Sequence, residues 1–360
     1  MNKNSKRKLD HIKSCVQEDV ESQGKGTGFE DINLIHQALP EVDFDSIDLS
    51  AKFLDKKLDV PLMISPMTGG HERSKELNRN LATAAESHNI AFSVGSQRVA
   101  IETGEFIETY QVRDVAPDIL LFGNLGVTQL IQGYGVEEVE DAIDMIDADG
   151  IGIHLNPLQE VVQPEGSRDF RDAFENISKI ASELDEFVYV KETGSGMDSE
   201  VASKLEECDV DAIDVSGVGG TSWAGVEATR DSSRKKAGNV FWDWGIPTSV
   251  STAEVCRTVD IPVISSGGIR TGLEAAKAFA LGADLVSVGL PLFRASLDSE
   301  EKVIEWLDEF ILELKMAMFL TGIERVSGFE EVSCSVFGET RERFKSRDLF
   351  LEKWEGDHVD

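Results

Sequence analysis

Cysteine is scarce in this 360-residue chain: Cys15, Cys208, Cys256 and Cys334 lie far apart and form no Cys-x-x-Cys pair. With no signal-like segment at the N-terminus, that spacing argues against a disulfide framework and predicts reduced thiols in the cytoplasm. No set of His, Cys and carboxylate residues has zinc-site spacing, and neither a P-loop nor a nucleophile elbow occurs. Basic residues are also few, 35 against 67 acidic, for a net charge of −32. A field of that sign repels phosphate backbones and argues against nucleic acid as the main partner. It suits a protein that stays hydrated in concentrated salt, where screening lengths shrink to a few ångströms, so a halophilic setting is expected. No apolar run reaches the roughly 18 residues that a membrane helix needs, and no membrane span is expected. A Pro/Ser-rich linker and low-complexity tracts are missing too, which predicts one large domain.

What the chain does contain is a repeated unit. Eight short apolar runs, at residues 60–67, 91–95, 119–123, 150–154, 187–191, 212–216, 262–266 and 285–289, alternate for the most part with helix-length stretches. Continuous β-branched runs separated by helices mark a parallel sheet buried on both faces. Eight of them predict a single closed (β/α)8 barrel, the TIM-barrel class of α/β fold, with catalytic residues at the carboxyl ends of the strands. The length exceeds the roughly 250 residues of a plain barrel. The expected division is an N-terminal extension over 1–59, the barrel over 60–291 and a C-terminal helical extension over 292–360. In that last part Val303, Leu307, Phe310 and Leu314 fall on one helical face. The polar segment 224–239 reads as a mobile loop after the sixth strand.

The strongest local signal lies after strands seven and eight. Ser265-Ser-Gly-Gly-Ile-Arg270 follows the seventh run and leads into a helix near Leu273, and Val288-Gly-Leu-Pro291 follows the eighth. Glycines there let backbone N–H groups approach an anion, and the helix start adds its dipole. Barrels commonly bind phosphate at this place, either of a substrate or of a cofactor such as FMN. The other strand ends favour a flavin. Met67, Thr68, Gly69, Ser96, Asn124, Ser216 and Thr221 are small or polar, and Lys191 offers a cation to an anionic reduced ring.

Several motifs together resemble a known family. They are Arg7-Lys-Leu-Asp-His11, Met67-Thr-Gly-Gly70, Gly95-Ser-Gln-Arg98, His154-Leu-Asn-Pro-Leu-Gln-Glu160, Lys191-Glu-Thr-Gly194, Asp214-Val-Ser-Gly-Val-Gly-Gly-Thr-Ser-Trp223, Trp244-Gly-Ile-Pro-Thr248 and Ser266-Gly-Gly-Ile-Arg270. This set resembles the type II, FMN-dependent isopentenyl-diphosphate isomerases. The resemblance implies a cytoplasmic homotetramer or homo-octamer of isoprenoid synthesis that interconverts isopentenyl and dimethylallyl diphosphate. It implies FMN, active when reduced by NADPH, and Mg²⁺. By motif, flavin contacts fall on Met67, Thr68, Gly69, Ser96, Asn124, Lys191, Ser216, Thr221, Gly268, Ile269, Arg270, Gly289 and Leu290. Substrate contacts fall on Arg7, Lys8, Ser96, Gln97, Arg98, His154, Asn156 and Gln159, and the metal on Glu160.

The chemistry is compatible with that reading. A diphosphate must be held against an unfavourable overall field, and Arg7, Lys8, Arg98 and His154 supply a local basic cluster. Glu160 suits Mg²⁺, which uses one or two carboxylates together with substrate phosphates and water. Moving a double bond adds one proton and removes another, and an electron-rich reduced flavin is the expected acid/base centre. The alternative gives one proton transfer to Gln159 with water, or to His154; a glutamine has no useful pKa, so orientation suits it better. A rival function is an FMN oxidoreductase of the same barrel class. Hydroxy-acid oxidases place a catalytic His after strand seven, which this chain lacks. A Cys nucleophile after strand six is lacking as well.

Overall fold

The computed structural model describes residues 14–16, 18–230 and 233–349. Eight parallel strands close into a barrel: β1 (Leu62–Ile64), β2 (Ala91–Ser93), β3 (Leu121–Gly126), β4 (Gly150–His154), β5 (Phe187–Lys191), β6 (Ala212–Asp214), β7 (Val263–Ser266) and β8 (Leu285–Val288). Closure is made by β8 on β1, with Val286 opposite Leu62 and Val288 opposite Ile64. All eight expected runs contain a strand. The first is trimmed to three residues between Pro61 and Pro66, as proline cannot donate to the ladder. The third runs on past its expected end at Gly123 to Gly126, paired in register with β4 from Phe122–Gly150 to Gly126–His154.

Side chains fill the barrel interior. Met63, Ala91, Phe122, Tyr189, Ala212, Ile264 and Leu285 form one buried cluster, with Phe122 edge-on to Tyr189 at 4.9 Å. Phe53 and Leu58 belong to the same cluster and come from an antiparallel hairpin, Ala51–Phe53 with Lys56–Leu58. The N-terminal extension thus plugs one end of the barrel. It also pairs with the C-terminal extension, Ile32–Leu34 running antiparallel to Cys334–Val336.

The helix Glu300–Thr321 buries Val303, Leu307, Phe310 and Leu314, the face read from the sequence. Each such side chain contributes about 1.5–3 kcal/mol of burial. It packs against helix Gly272–Ala280 closely enough that a Cβ on Gly272 would lie 2.2 Å from Leu314 N. Segment 224–239 is not an open loop, contrary to expectation. It contains most of helix Trp223–Arg230 and of helix Lys235–Val240. The first buries Ala224, Val226, Glu227 and Ala228, and Trp242 covers Gly225 so tightly that a Cβ would meet the indole at 2.6 Å. Ser233 and Arg234, two of the polar residues that suggested a loop, immediately precede the second helix.

All four cysteines are free thiols. Among the described residues no helix is long and apolar enough to cross a membrane.

Asp149, just before β4, carries a charge network: Lys56 Nζ at 2.6 Å, Arg113 Nη2 at 2.6 Å and the Leu121 N–H at 2.9 Å. Burial alone would raise this carboxyl, but the Leu121 N–H, Lys56 and Arg113 outweigh it and hold it below the usual carboxylate range. A depressed folded-state pKa stabilises the fold above the unfolded value of about 3.9, and the contribution is lost as pH falls below it. Asp149→Asn should lower unfolding free energy at pH 7 by about 2 kcal/mol. The difference from wild type, read by urea titration, should narrow towards pH 3.

Candidate active site

The barrel fixes the level at which the mouth residues sit. Gly126 on β3, His154 on β4, Lys191 on β5 and Asp214 on β6 are successive register partners, a row across four neighbouring strand ends. Gly126 leaves room for the imidazole, because a Cβ there would lie 2.7 Å from His154 Nε2. His154 Nδ1 meets Asn124 Oδ1 at 2.8 Å. With the amide oxygen accepting, the proton sits on Nδ1 and Nε2 is the basic nitrogen.

Lys191 is buried, and its Nζ donates to the Glu192 carbonyl at 2.6 Å. Asp214 is wholly buried; its Oδ1 accepts from Ser266 Oγ at 2.5 Å and from the Ser216 N–H at 3.1 Å. Burial pushes the Lys191 ammonium down and the Asp214 carboxyl up, and the attraction between them restrains both shifts. Ser216, just after Asp214, takes a left-handed φ of 37°, a strained conformation for a residue with a Cβ. Glu192 folds the next loop by accepting from the Thr193 N–H at 2.6 Å and from the Ser195 N–H. Burial raises its carboxyl to about 7 against those bonds.

After β4 the chain turns into helix Pro157–Val162, which carries Gln159 and Glu160. Asn156, at its start, donates from Nδ2 to Gln159 Oε1 at 3.0 Å and to Glu160 Oε1 at 3.1 Å. Gln159 Nε2 in turn donates to Glu227 Oε1 at 3.2 Å, and Arg230 Nε holds the other Glu227 oxygen at 2.6 Å. Glu160 Oε2 accepts from the Ser167 N–H at 2.6 Å. Asn156 Oδ1 is buried without a hydrogen-bond partner among the described residues.

His154, Lys191, Asn156, Gln159 and Glu160 share one open cleft at the barrel mouth. Of the residues read from the sequence, Met67, Ser96, Arg98, Asn124, His154, Asn156, Gln159, Glu160, Lys191, Ser216, Thr221, Gly268, Arg270, Gly289 and Leu290 line it. Arg98 stands at its edge, paired with Glu102 at 2.6 Å. Thr68, Gly69, Gln97 and Ile269 do not line it. Thr68 Oγ1 bonds Ser74 Oγ at 2.7 Å, Gly69 packs under the Tyr110 ring, and Ile269 belongs to the main hydrophobic core. Gln97 is fully buried, its Nε2 on the Ala142 carbonyl at 2.6 Å and its Oε1 on the Asn124 N–H at 2.9 Å. It braces Asn124 and has no amide group left for a ligand. Arg7 and Lys8 lie outside the described residues.

Three contributors escaped the sequence reading. Glu227 and Arg230 sit in the stretch taken for a loop; their i, i+3 spacing was the available signal. Glu21 reaches the phosphate-side turn from the N-terminal extension, its Oε1 on Arg270 at 2.5 Å and its Oε2 3.4 Å from Arg294. Nothing in the local sequence marks that contact.

The donor set fits a flavin. Gly267 and Gly268 turn through left-handed φ of 102° and 79° just before helix Gly272–Ala280, and hydroxyl, amide and ammonium groups line the remaining wall. A single magnesium ion also fits an all-oxygen edge formed by Glu160 and the unpartnered Asn156 Oδ1. No cluster of three His, Cys, Asp or Glu able to cage a metal occurs among the described residues.

A family model described as FMN-dependent dehydrogenase matches residues 2–108 and 156–335. With the closed barrel and its lined mouth, that match makes the protein an FMN-dependent (β/α)8 enzyme. Isopentenyl-diphosphate delta-isomerase of Pyrococcus furiosus is 48% identical over 351 residues, covering 95% of this chain and 89% of the relative. The proteins of that name from Methanothermobacter thermautotrophicus and Archaeoglobus fulgidus are each 46% identical, covering 97% and 94% of this chain and 98% and 97% of their own lengths. The chain belongs to the isopentenyl-diphosphate delta-isomerase family. Among solved structures, a putative lactate oxidase of Pediococcus acidilactici superposes with a TM-score of 0.66 at 16% identity, over 92% of this chain and 91% of that one. A mandelate oxidase variant gives 0.64 at 18%, over 93% and 99%. At such identities the likeness concerns the fold alone.

Gln97→Ala removes two buried hydrogen bonds to backbone and should cost about 2–3 kcal/mol of stability. Chemical denaturation should show that loss, with KM moving less than threefold in the folded fraction.

Proposed function

We propose that this protein interconverts isopentenyl and dimethylallyl diphosphate, with FMN at the barrel mouth and one Mg²⁺ shared with the substrate. The observation that carries the reading is the meeting in one cleft of a buried cation, Lys191, with the linked Asn156, Gln159 and Glu160 edge. A flavin needs the first and a metal-bound diphosphate the second.

Lys191 would hold the ring edge on which the reduced anion carries its charge, Asn124, Ser96, Ser216 and Thr221 would supply donors and acceptors around it, and the turns at Gly268, Arg270, Gly289 and Leu290 would hold the flavin phosphate. When bound, and reduced at the expense of NADPH, FMN would supply an anionic flat surface and an ionisable ring nitrogen for a double-bond shift without net redox change. Glu160 would hold Mg²⁺ through Oε1, which Asn156 Nδ2 orients, its Oε2 being engaged by the Ser167 N–H. Arg98 and His154, with Arg7 and Lys8 from the N-terminal extension, balance the diphosphate charge in a chain that is otherwise strongly negative. The Gln159 amide is held at both ends, by Asn156 and Glu227, so it presents a fixed dipole to the five-carbon chain. A clamped amide orients; it does not exchange protons.

The assignment extends to a cytoplasmic homotetramer or homo-octamer in isoprenoid synthesis. The charge of −32 fits a salt-rich interior, where screening relieves repulsion between carboxylates.

Purified protein given FMN, dithionite and Mg²⁺ should bring either five-carbon diphosphate to the same mixture of both. Failure to do so would refute the assignment. Glu160→Gln should raise the Mg²⁺ needed for half-maximal rate by about 100-fold. Thermal unfolding followed by circular dichroism should shift upwards between dilute buffer and molar KCl; an unchanged midpoint would remove the salt-adaptation reading.

A further inference from the structure

We propose that Asp214 is the counter-ion that keeps Lys191 in its ammonium form inside the dry barrel mouth, and so sets how strongly the site favours reduced over oxidised FMN. The proposal rests on the reading that Lys191 faces a flavin.

Lys191 and Asp214 are register partners on β5 and β6, and both are buried, Asp214 wholly and Lys191 at the cleft wall. An unpaired buried ammonium is costly and sheds its proton. The groups facing Lys191 are few. On β4 its register partner is His154, engaged with Asn124 through Nδ1. On its own strand the Glu192 carboxylate turns away, taken by the backbone N–H groups of Thr193 and Ser195. Asp214 is the stronger of the two anionic influences on the ammonium, Glu192 the weaker. Asp214 has in turn two donors, Ser266 Oγ–H and the Ser216 N–H, both on Oδ1. Its Oδ2 is buried with no hydrogen-bond partner among the described residues, an oxygen left to act through its charge. Asp149, a carboxylate that braces the barrel, spends both oxygens on donors instead.

Asp214→Asn keeps shape and the Ser266 contact but removes the charge. Lys191 then turns neutral, and the anionic reduced flavin loses the cation that favours it. Asp214 is therefore a positioning and charge-setting residue acting through Lys191.

The test is the FMN midpoint potential of the holoprotein, measured spectrophotometrically against a reference dye at pH 8. In Asp214→Asn the preference for reduced over oxidised FMN should fall about tenfold, a potential about 30 mV lower for a two-electron couple. Lys191→Arg bears a guanidinium that does not deprotonate in proteins. Adding Asp214→Asn to Lys191→Arg should leave its potential unchanged. Ser266→Ala, which removes the hydroxyl donor to Asp214 Oδ1 and leaves the carboxylate itself in place, should move the potential the same way by a smaller amount, and it stands in if Asp214→Asn fails to bind flavin. An unchanged or raised potential in Asp214→Asn, or in Ser266→Ala where that variant stands in, overturns the proposal. So does a fall that persists equally on the Lys191→Arg background. If Lys191→Met binds FMN with wild-type potential, the placement of the flavin beside Lys191 is what fails.

Discussion

Closure of the parallel sheet is the constraint on which everything else depends. Once β8 pairs with β1, all eight strands end at one rim, and a residue's place in its strand fixes its height in the cleft. The row from Gly126 through His154 and Lys191 to Asp214 is a direct product of that register. A slip of one residue in any pair would turn the polar groups outward and an apolar side chain inward. The chemistry is thus coupled to the integrity of the sheet hydrogen bonds.

The barrel could be read from the sequence because its signal is local and repeated. Each strand announces itself as a short β-branched run, and the Val303, Leu307, Phe310, Leu314 face gives away the last long helix. The strand-end residues that line the cleft were legible for the same reason. Reasoning along the chain could not show that the Gln97 and Ile269 side chains stand off the cleft lining, since a residue beside a site residue can point the opposite way. Gln97 spends its amide on backbone behind Asn124, and only the third dimension shows it. The helix bearing Glu227 was hidden by polar neighbours at the junction that follows it. Glu21 was invisible altogether, because its partners Arg270 and Arg294 lie about 250 and 270 residues further on.

Two kinds of polar group sit in the cleft. Gln159, Glu160 and His154 are tied by neutral or charge-assisted hydrogen bonds and have little freedom to reorient. Lys191 and Asp214 are instead balanced against burial, each moved away from its ordinary titration range. Orientation and charge are therefore handled by separate parts of the rim, the β4 side and the β5–β6 side.

The N-terminal strand bridge has a geometric corollary. Glu21 pairs with Thr221 across a β-bridge, and the Trp242 indole N–H clasps the Glu21 carbonyl at 2.9 Å. Cys15 and Val20 pack with Leu290 and Phe293 at the cleft rim. The backbone is stitched to the same loop on either side of that bridge, Ser22 N–H on the Gly220 carbonyl and Ser222 N–H on the Val20 carbonyl, each at 2.8 Å. A cut or slip anywhere in this stretch would therefore loosen the part of the rim that it staples.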